Sequence, residues 1–337
     1  MSLPEGYNSK ANLKDIFHGL LPSQGSVYTA CQINGGEIEG RYDRVLLSSI
    51  HKDFRVYSSL NPPEIDIREK MYSYLPQGCE IVSVDVFRAF ETPFELITGF
   101  VYDSAYVLSQ FQFLIRLGIT WMASQEDEEH QPTYYFNIYE SGLHYDIINL
   151  VDSIELNFVP FQLTHAVFGN NNDNTCFVIS GSDHKCHVFF YSKEDHTYST
   201  DEDYLAQTFP ELVEGSPNQE VALWIAFDYT DDCMKRFTAI AHECGTVSLY
   251  IVDIASIKVL EKHTSSFEGP VTRVLFFNRK STESFGVRLL ALSSLALSKV
   301  FYNIETDGLS KCAKLPMSDE FDVATCGLLA DLDFDKK

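Results

Sequence analysis

A short β-rich run that ends in a tyrosine recurs five times, and this repeat constrains the fold more than any other feature. The runs are FRVY (54–57), FNIY (136–139), HVFFY (187–191), VSLY (247–250) and KVFY (299–302). Their terminal residues, Tyr57, Tyr139, Tyr191, Tyr250 and Tyr302, lie 82, 52, 59 and 52 residues apart. Recurrence at a long period indicates one supersecondary unit used several times. We expect these tyrosines to pack within or at the edge of that unit.

The repeating unit resembles a propeller blade. Most runs follow another apolar run and a tight turn, as in 176–183 (CFVISGSD) and 237–246 (FTAIAHECGT), which predicts β-hairpins. Alternating segments at 80–87, 221–228 and 269–277 stand where inner strands should begin. Inner strand, hairpin and outer strand is the order of a WD40-type blade, with longer loops here. An unrelated β-sandwich is the alternative. The sequence therefore predicts an all-β β-propeller, with short helical turns only at 13–21 and before Pro210.

Charge and composition exclude several functions. The 337 residues carry 25 Lys+Arg against 48 Asp+Glu, a net charge of −23, so the surface repels phosphate backbones and anionic headgroups. We therefore expect no nucleic-acid partner. No stretch of about 20 apolar residues occurs, which argues against direct membrane insertion. No secretory signal is visible, and the eight cysteines form no CxxC pair, so a cytoplasmic protein with reduced thiols is expected.

Metal-ligand residue types cluster in two places, and neither predicts a site. Alternation along a strand sends Cys186 and His187 to opposite faces, while Asp183 and His184 fall in a hairpin turn. His242 and Cys244 have the same difficulty, and His165 is expected to be an ordinary packed histidine. A D-x-D-x-D run at residues 331–335 begins like a calcium loop, but Lys336 and Lys337 replace the required glycine.

No sequence motif supports catalysis. The chain has no G-x-S-x-G elbow, no phosphate-binding GxxxxGK[ST] loop and no GxGxxG. We assign no catalytic, cofactor-binding or metal-binding residue and expect no cofactor. A propeller hydrolase, with acids or histidines converging at the central channel, is the enzymatic alternative. The cluster of Arg41, Arg44, Lys52 and Arg55 could contact actin filaments, although ordinary solvated charge explains it more simply.

Several collinear segments resemble the kaptin family of the KICSTOR complex. The most specific is 154–165 (IELNFVPFQLTH), in which a proline stands between two aromatic residues in a β-rich run. The others are 25–28 (GSVY), 79–87 (CEIVSVDVF), 177–181 (FVISG), 209–212 (FPEL), 268–274 (EGPVTRV), 318–322 (SDEFD) and 329–333 (LADLD).

The resemblance implies a non-enzymatic scaffold. It implies a seven-bladed propeller whose partners are an integrin-repeat propeller and a large scaffold subunit, in a complex that restrains TOR signalling at lysosomes during amino-acid starvation. Actin binding at lamellipodia and stereocilia is the alternative function it suggests. Location in the cytoplasm, peripheral to the lysosomal membrane through the complex or at actin-rich edges, follows from the same resemblance.

The sequence departs from the family pattern twice. The family runs continuously from Gly99 to Ile119, so residues 100–118 form an insertion, which we interpret as a translated intron; transcripts consistently retaining these codons would contradict that. The family also continues for about two further blades. We therefore expect one domain over residues 1–337, with a tail at about 1–22, about five blades and an incomplete ring that is poorly soluble without a partner.

Overall fold

The computed structural model describes most of the chain. The described residues are 21–33, 44–61, 64–70, 75–90, 113–123, 131–142, 148–168, 174–213, 220–230, 234–278, 286–295, 297–315 and 327. None of the helices within them is long and apolar enough to cross a membrane.

Five four-stranded antiparallel sheets follow one another around a ring, and each is a blade of consecutive strands. The first two blades contain β1 (Ala30–Ile33), β2 (Arg44–Ser48), β3 (Phe54–Asn61) and β4 (Glu64–Lys70), then β5 (Glu80–Phe90), β6 (Phe113–Ala123), β7 (Thr133–Gly142) and β8 (Ile148–Leu156). The third contains β9 (Pro160–Val167), β10 (Thr175–Gly181), β11 (Cys186–Ser192) and β12 (Thr197–Ser199). The last two contain β13 (Ala222–Tyr229), β14 (Lys235–His242), β15 (Thr246–Asp253) and β16 (Lys258–Ser266), then β17 (Val271–Asn278), β18 (Val287–Ser293), β19 (Lys299–Phe301) and β20 (Cys312–Lys314).

The predicted β-propeller is confirmed, with five blades. The five tyrosine-ending runs fall in or at the end of β3, β7, β11, β15 and β19, which is the third strand of every blade. The predicted inner strands are β5, β13 and β17, each the first strand of its sheet. The pattern was informative because a third strand packs apolar residues against neighbouring blades, while the turn after it is polar.

The second, third and fourth sheets are covered on both faces, because each of these blades packs on the one before it and the one after it. In the fourth blade, Ala239 and Ala241 of β14 pack toward the fifth blade, while Ile240 between them packs toward the third. Four apolar clusters of described residues hold the blades together pairwise: first to second, second to third, third to fourth and fourth to fifth. None of these four clusters joins the fifth blade to the first.

Two short helices connect the third blade to the fourth, and a buried ion pair fixes them. α1 (Glu202–Thr208) ends before Pro210, as predicted, and Pro210 opens α2 (Pro210–Val213), where a missing N–H costs nothing. Glu211 of α2 accepts from Arg236 Nε at 2.8 Å and from Arg236 Nη2 at 3.1 Å, and both side chains are buried. The Thr238 hydroxyl also donates to this carboxylate. A third helix, α3 (Ile304–Asp307), follows β19.

The interval expected to be an insertion is partly built into the second blade. Residues 100–112 lie outside the described residues, but residues 113–118 form the first half of β6 and pair with both β5 and β7. Ile115 and Leu117 are buried in the core between the first and second blades. Strand pairing and core packing thus continue through Gly118 in this chain. That residues 100–118 are an insertion relative to the family stays a prediction.

Candidate interaction site at the channel mouth

The inner strands share an irregularity at the same end of the ring. In β5, β13 and β17 one extra residue interrupts the pairing with the next strand, namely Val82, Leu223 and Thr272 respectively. The third blade has a similar shift within β9. In the first blade a turn closed by the Thr29 N–H and the Ser26 carbonyl precedes β1 at the equivalent place. Such bulges re-aim side chains at sheet ends and barrel rims.

The segment before β1 reaches across this end of the channel. Ser26 Oγ donates to the Val82 carbonyl of the second blade at 3.4 Å, and the Tyr28 hydroxyl donates to the Leu223 carbonyl of the fourth at 2.8 Å. Burial raises the pKa of Tyr28 to about 12, so this hydroxyl stays a donor at any physiological pH. Val27 therefore lies between two residues that bond to the second and the fourth blade.

Stacked side chains fill the channel directly below. The Tyr28 ring stacks on Trp224 with centroids 5.7 Å apart, and the Arg273 guanidinium lies 4.6 Å from the centroid of the Trp224 indole. This stack links the first, fourth and fifth blades. Gln162 of β9 adds a polar bridge, since its side-chain amide donates to the Ile225 carbonyl at 3.0 Å and accepts from the Ile225 N–H. The Tyr28 stack thus joins non-adjacent blades, the first and the fourth, whereas Arg273 and Gln162 join neighbouring ones.

One carboxylate–imidazole pair lies between the second and third blades. Asp85 Oδ2 on β5 and His165 Nδ1 on β9 are 2.7 Å apart, and the Phe87 ring packs beside the imidazole. Burial favours the neutral ring, but the charge of Asp85 and its hydrogen bond prevail and raise the pKa of His165 above its usual value. The pair is an interblade contact, in which His165 is packed and hydrogen-bonded.

The candidate metal residues are placed as the strand alternation predicted. The His187 ring stacks on Phe158 with centroids 3.8 Å apart and bonds to Asp183, while Cys186 packs on the opposite side, in the core between the third and fourth blades. His184 is exposed in the hairpin turn with a positive φ. Within the described part of the chain, no three His, Cys, Asp or Glu side chains are grouped to hold a metal ion.

The second cluster of metal-ligand residue types, His242 and Cys244, lies at the turn between β14 and β15. His242 is buried, and this burial lowers the pKa of its ring, whereas Cys244 is exposed and its thiol lies 3.1 Å from Thr246 Oγ1. Residues 331–335, the calcium-like run, lie outside the described residues.

Two of the four basic residues near the start have partners close by in the structure. Lys52 Nζ donates to the carbonyls of Leu75 and Pro76, and Arg55 pairs with Glu69 at 3.3 Å. Arg44 begins β2, and Arg41 lies outside the described residues. Local partners thus engage two of the four cations.

The five repeat tyrosines differ in their surroundings. Tyr139 and Tyr250 are fully buried in the blade cores, and Tyr57 is half-buried. Tyr191 covers the buried Arg116 guanidinium, which lies 3.7 Å from its ring centroid, and Tyr302 packs against Arg288. Their side chains therefore pack in the blades, and none of them belongs to the channel mouth.

The channel-mouth residues were missed from the sequence. One signal was available, because two consecutive apolar residues at the start of an inner strand, as in Ile81–Val82 and Ala222–Leu223, break the alternation of a regular strand. The contacts of Tyr28 with Trp224 and of Gln162 with Ile225 carry no local signal, since the partners are 196 and 63 residues apart.

Fold and site together define a β-propeller whose channel mouth is closed by packing and hydrogen-bonding side chains. The family model described as KICSTOR complex protein kaptin matches residues 13–337, so the chain belongs to the kaptin family. It is 28% identical to the KICSTOR complex protein kaptin of Mus musculus over 279 residues, which is 80% of this chain and 59% of the mouse protein. The chain thus spans about three fifths of that relative's length.

A solved structure shows a weaker likeness. It is described as the crystal structure of BBS1N in complex with ARL6DN, soaked with lead, and is 12% identical with a TM-score of 0.41. The alignment covers 83% of this chain and 80% of that one. The propeller assignment above rests on the strand pairing of this chain and not on that likeness.

Proposed function

We propose that the chain is a non-enzymatic protein-interaction subunit of a KICSTOR-type complex and takes part in the nutrient-dependent restraint of TOR signalling at lysosomes. The observation that carries the proposal is the match of the kaptin family model along residues 13–337. The relative that it resembles is named as a protein of that complex. The expected partners are an integrin-repeat propeller and a large scaffold subunit.

The geometry of the channel supports a scaffold over a propeller hydrolase. A hydrolase of this fold would need acids or histidines that converge on the channel with room for a substrate. At the described mouth of this channel the space is taken by Tyr28, Trp224 and Arg273 in mutual contact. Below them, Asp85 is committed to His165.

Co-purification tests the proposal. The full chain, tagged and expressed at endogenous level in its own cells, is expected to retain the integrin-repeat partner and the scaffold subunit in stoichiometric amounts. A Glu211→Gln variant, which removes the buried charge that pairs with Arg236, serves as the folding-impaired control and should lose both. A well-folded wild-type chain that retains neither subunit would contradict the proposal.

Direct binding to actin filaments is the alternative, and co-sedimentation separates the two functions. Actin is acidic, so a chain with net charge −23 needs a local basic patch to bind it. Lys52 and Arg55 have partners within the first blade and its connection to the second. We therefore expect the purified chain to stay in the supernatant, whereas saturable pelleting with filaments would favour the alternative.

A further inference from the structure

The channel mouth carries a partly exposed surface, here called the collar, which consists of three apolar residues, Val27, Val82 and Leu223, and of Thr272. Three of the four are the extra residues of the inner-strand bulges, so the surface repeats from blade to blade. Val27 is 41% exposed, and the other three are half-buried. An exposed apolar patch with a polar surround typically marks an interaction site.

Leu295 extends the collar on the side of the fifth blade. It is the most exposed large apolar residue in the described part of the chain, at 72%. It lies over Gly269, where a Cβ would come within 2.7 Å of the Leu295 Cβ. The preceding residue, Ser294, donates its backbone N–H to the Pro270 carbonyl. This places Leu295 next to the start of β17, close to Thr272.

Two carboxylates stand beside the collar. The Glu243 N–H donates to the carbonyl of Val221, two residues before Leu223, and the Glu243 carboxylate accepts from the Val221 N–H at 3.4 Å. Glu268 immediately precedes Gly269. Both are exposed, and neither forms an ion pair with the residues that the structure describes. Their charge is available to a cationic partner.

The cations near this surface are occupied. Arg273 lies on the Trp224 ring, one layer below the collar, and Lys299 Nζ donates to the Ser266 carbonyl at 2.9 Å. Lys52, at the adjacent turn of the first blade, donates to two backbone carbonyls. Of the charged residues named around the collar, the exposed ones are therefore the carboxylates Glu243 and Glu268.

We infer that the collar docks a basic peptide segment of a partner protein, with a bulky aliphatic side chain seated among Val27, Leu223 and Leu295 and flanking Lys or Arg residues near Glu243 and Glu268. This inference rests on the proposed function, since it names the surface through which such a subunit would hold a partner. The rigid, stacked floor of Tyr28, Trp224 and Arg273 pre-forms the surface, which lowers the entropic cost of binding.

Fluorescence anisotropy with defined peptides tests the inference on the full chain. The labelled peptide GKRLLRKG should bind, whereas GEDLLDEG should not, because its charges oppose the carboxylates. GKRSSRKG should bind at least tenfold more weakly than GKRLLRKG, because it lacks the aliphatic anchor. Binding of GKRLLRKG should also weaken as NaCl is raised.

Matched variants locate the site. Val27→Asn and Leu295→Asn should each raise the Kd on the order of tenfold, whereas Ile257→Asn should leave it unchanged. Ile257 is a suitable control because it is 45% exposed but lies in the turn between β15 and β16, at the opposite end of the blade. Glu243→Gln combined with Glu268→Gln should weaken binding and flatten the salt dependence.

Three results would overturn the inference: no binding of GKRLLRKG, equal binding of GEDLLDEG, or unchanged affinity in Val27→Asn and Leu295→Asn. Failure of the proposed function has a separate signature, since the wild-type chain would then not co-purify with the complex whatever the peptides do. If the complex co-purifies while the peptides do not bind, only the inference about the collar fails.

Discussion

Deleting residues 100–118 is expected to leave a folded propeller, because residues 94–99 can complete β6. The two segments read FELITG and FLIRLG and occupy the same positions relative to Ile119 once the interval is removed. The requirement is strictest at Gly118, where a Cβ would lie 2.8–2.9 Å from the side chains of Leu163, Phe136 and Phe177. Gly99 supplies the glycine that this position demands.

The magnitude follows from the replaced side chains. Thr98 in place of the buried Leu117 costs about 2 kcal/mol. Ile97 in place of Arg116 costs about 1–3 kcal/mol, since Arg116 donates to the Tyr198 hydroxyl at 2.8 Å and to Glu140 at 3.2 Å. Shortening the connection from 22 residues to three returns roughly 2 kcal/mol of closure entropy. The net loss, about 1–3 kcal/mol, is smaller than the stability of a typical domain.

Thermal unfolding monitored by near-ultraviolet circular dichroism, together with gel filtration, measures the effect. The matched control is deletion of residues 100–117, which differs by one residue and shifts the strand register, so that every side chain before Gly118 turns to the wrong face. We expect a cooperative transition for the first deletion and an aggregated or unfolded product for the second. Identical behaviour of the two deletions would show that residues 94–99 do not replace residues 113–118 in β6.

Three further predictions concern the core, the interblade pair and the ring. Glu211→Gln leaves Arg236 as a buried cation without its anionic partner, so it should lower the free energy of unfolding by about 3–5 kcal/mol in denaturant titrations. Lys185→Gln removes an exposed ion pair with Glu202 and should change the same quantity by less than about 0.5 kcal/mol. Because the pKa of His165 is raised in the fold, its pairing with Asp85 stabilises the fold fully below the unfolded pKa near 6.5, and this contribution is lost as pH rises through the folded pKa. The difference in Tm between wild type and His165→Asn should therefore narrow with rising pH. A difference that widens would contradict the pairing. Because no described core cluster joins the fifth blade to the first, the chain expressed alone should associate or need a partner, and sedimentation showing a monodisperse, cooperatively melting monomer would argue against an open ring.

Local patterns predicted the blades well because blade strands are short and their neighbours in sequence are also their neighbours in space. The third strand of every blade was found from its terminal tyrosine, and the turns at Gly181 and Gly245 were found from hairpin chemistry. The end of α1 before Pro210 was found by the same local reasoning, since proline interrupts a helix.

The channel mouth could not be predicted in the same way, because its contacts join residues on different blades. Tyr28 meets Leu223 and Trp224 only after the ring has formed, and the bulges that orient Val82 and Thr272 depend on pairing with the next strand. The buried Arg116 is a similar case, since its partners come from two blades. Charge patterning along the chain gives no sign of any of these contacts.

The response of TOR signalling to amino-acid withdrawal tests whether the chain restrains TOR signalling. In cells that lack the chain, phosphorylation of a TOR-complex substrate such as ribosomal S6 kinase is measured before and after withdrawal, with and without re-expression of the wild type. Phosphorylation is expected to persist after withdrawal without the chain and to fall when the chain is restored. A normal fall in its absence would contradict a role in restraining TOR signalling.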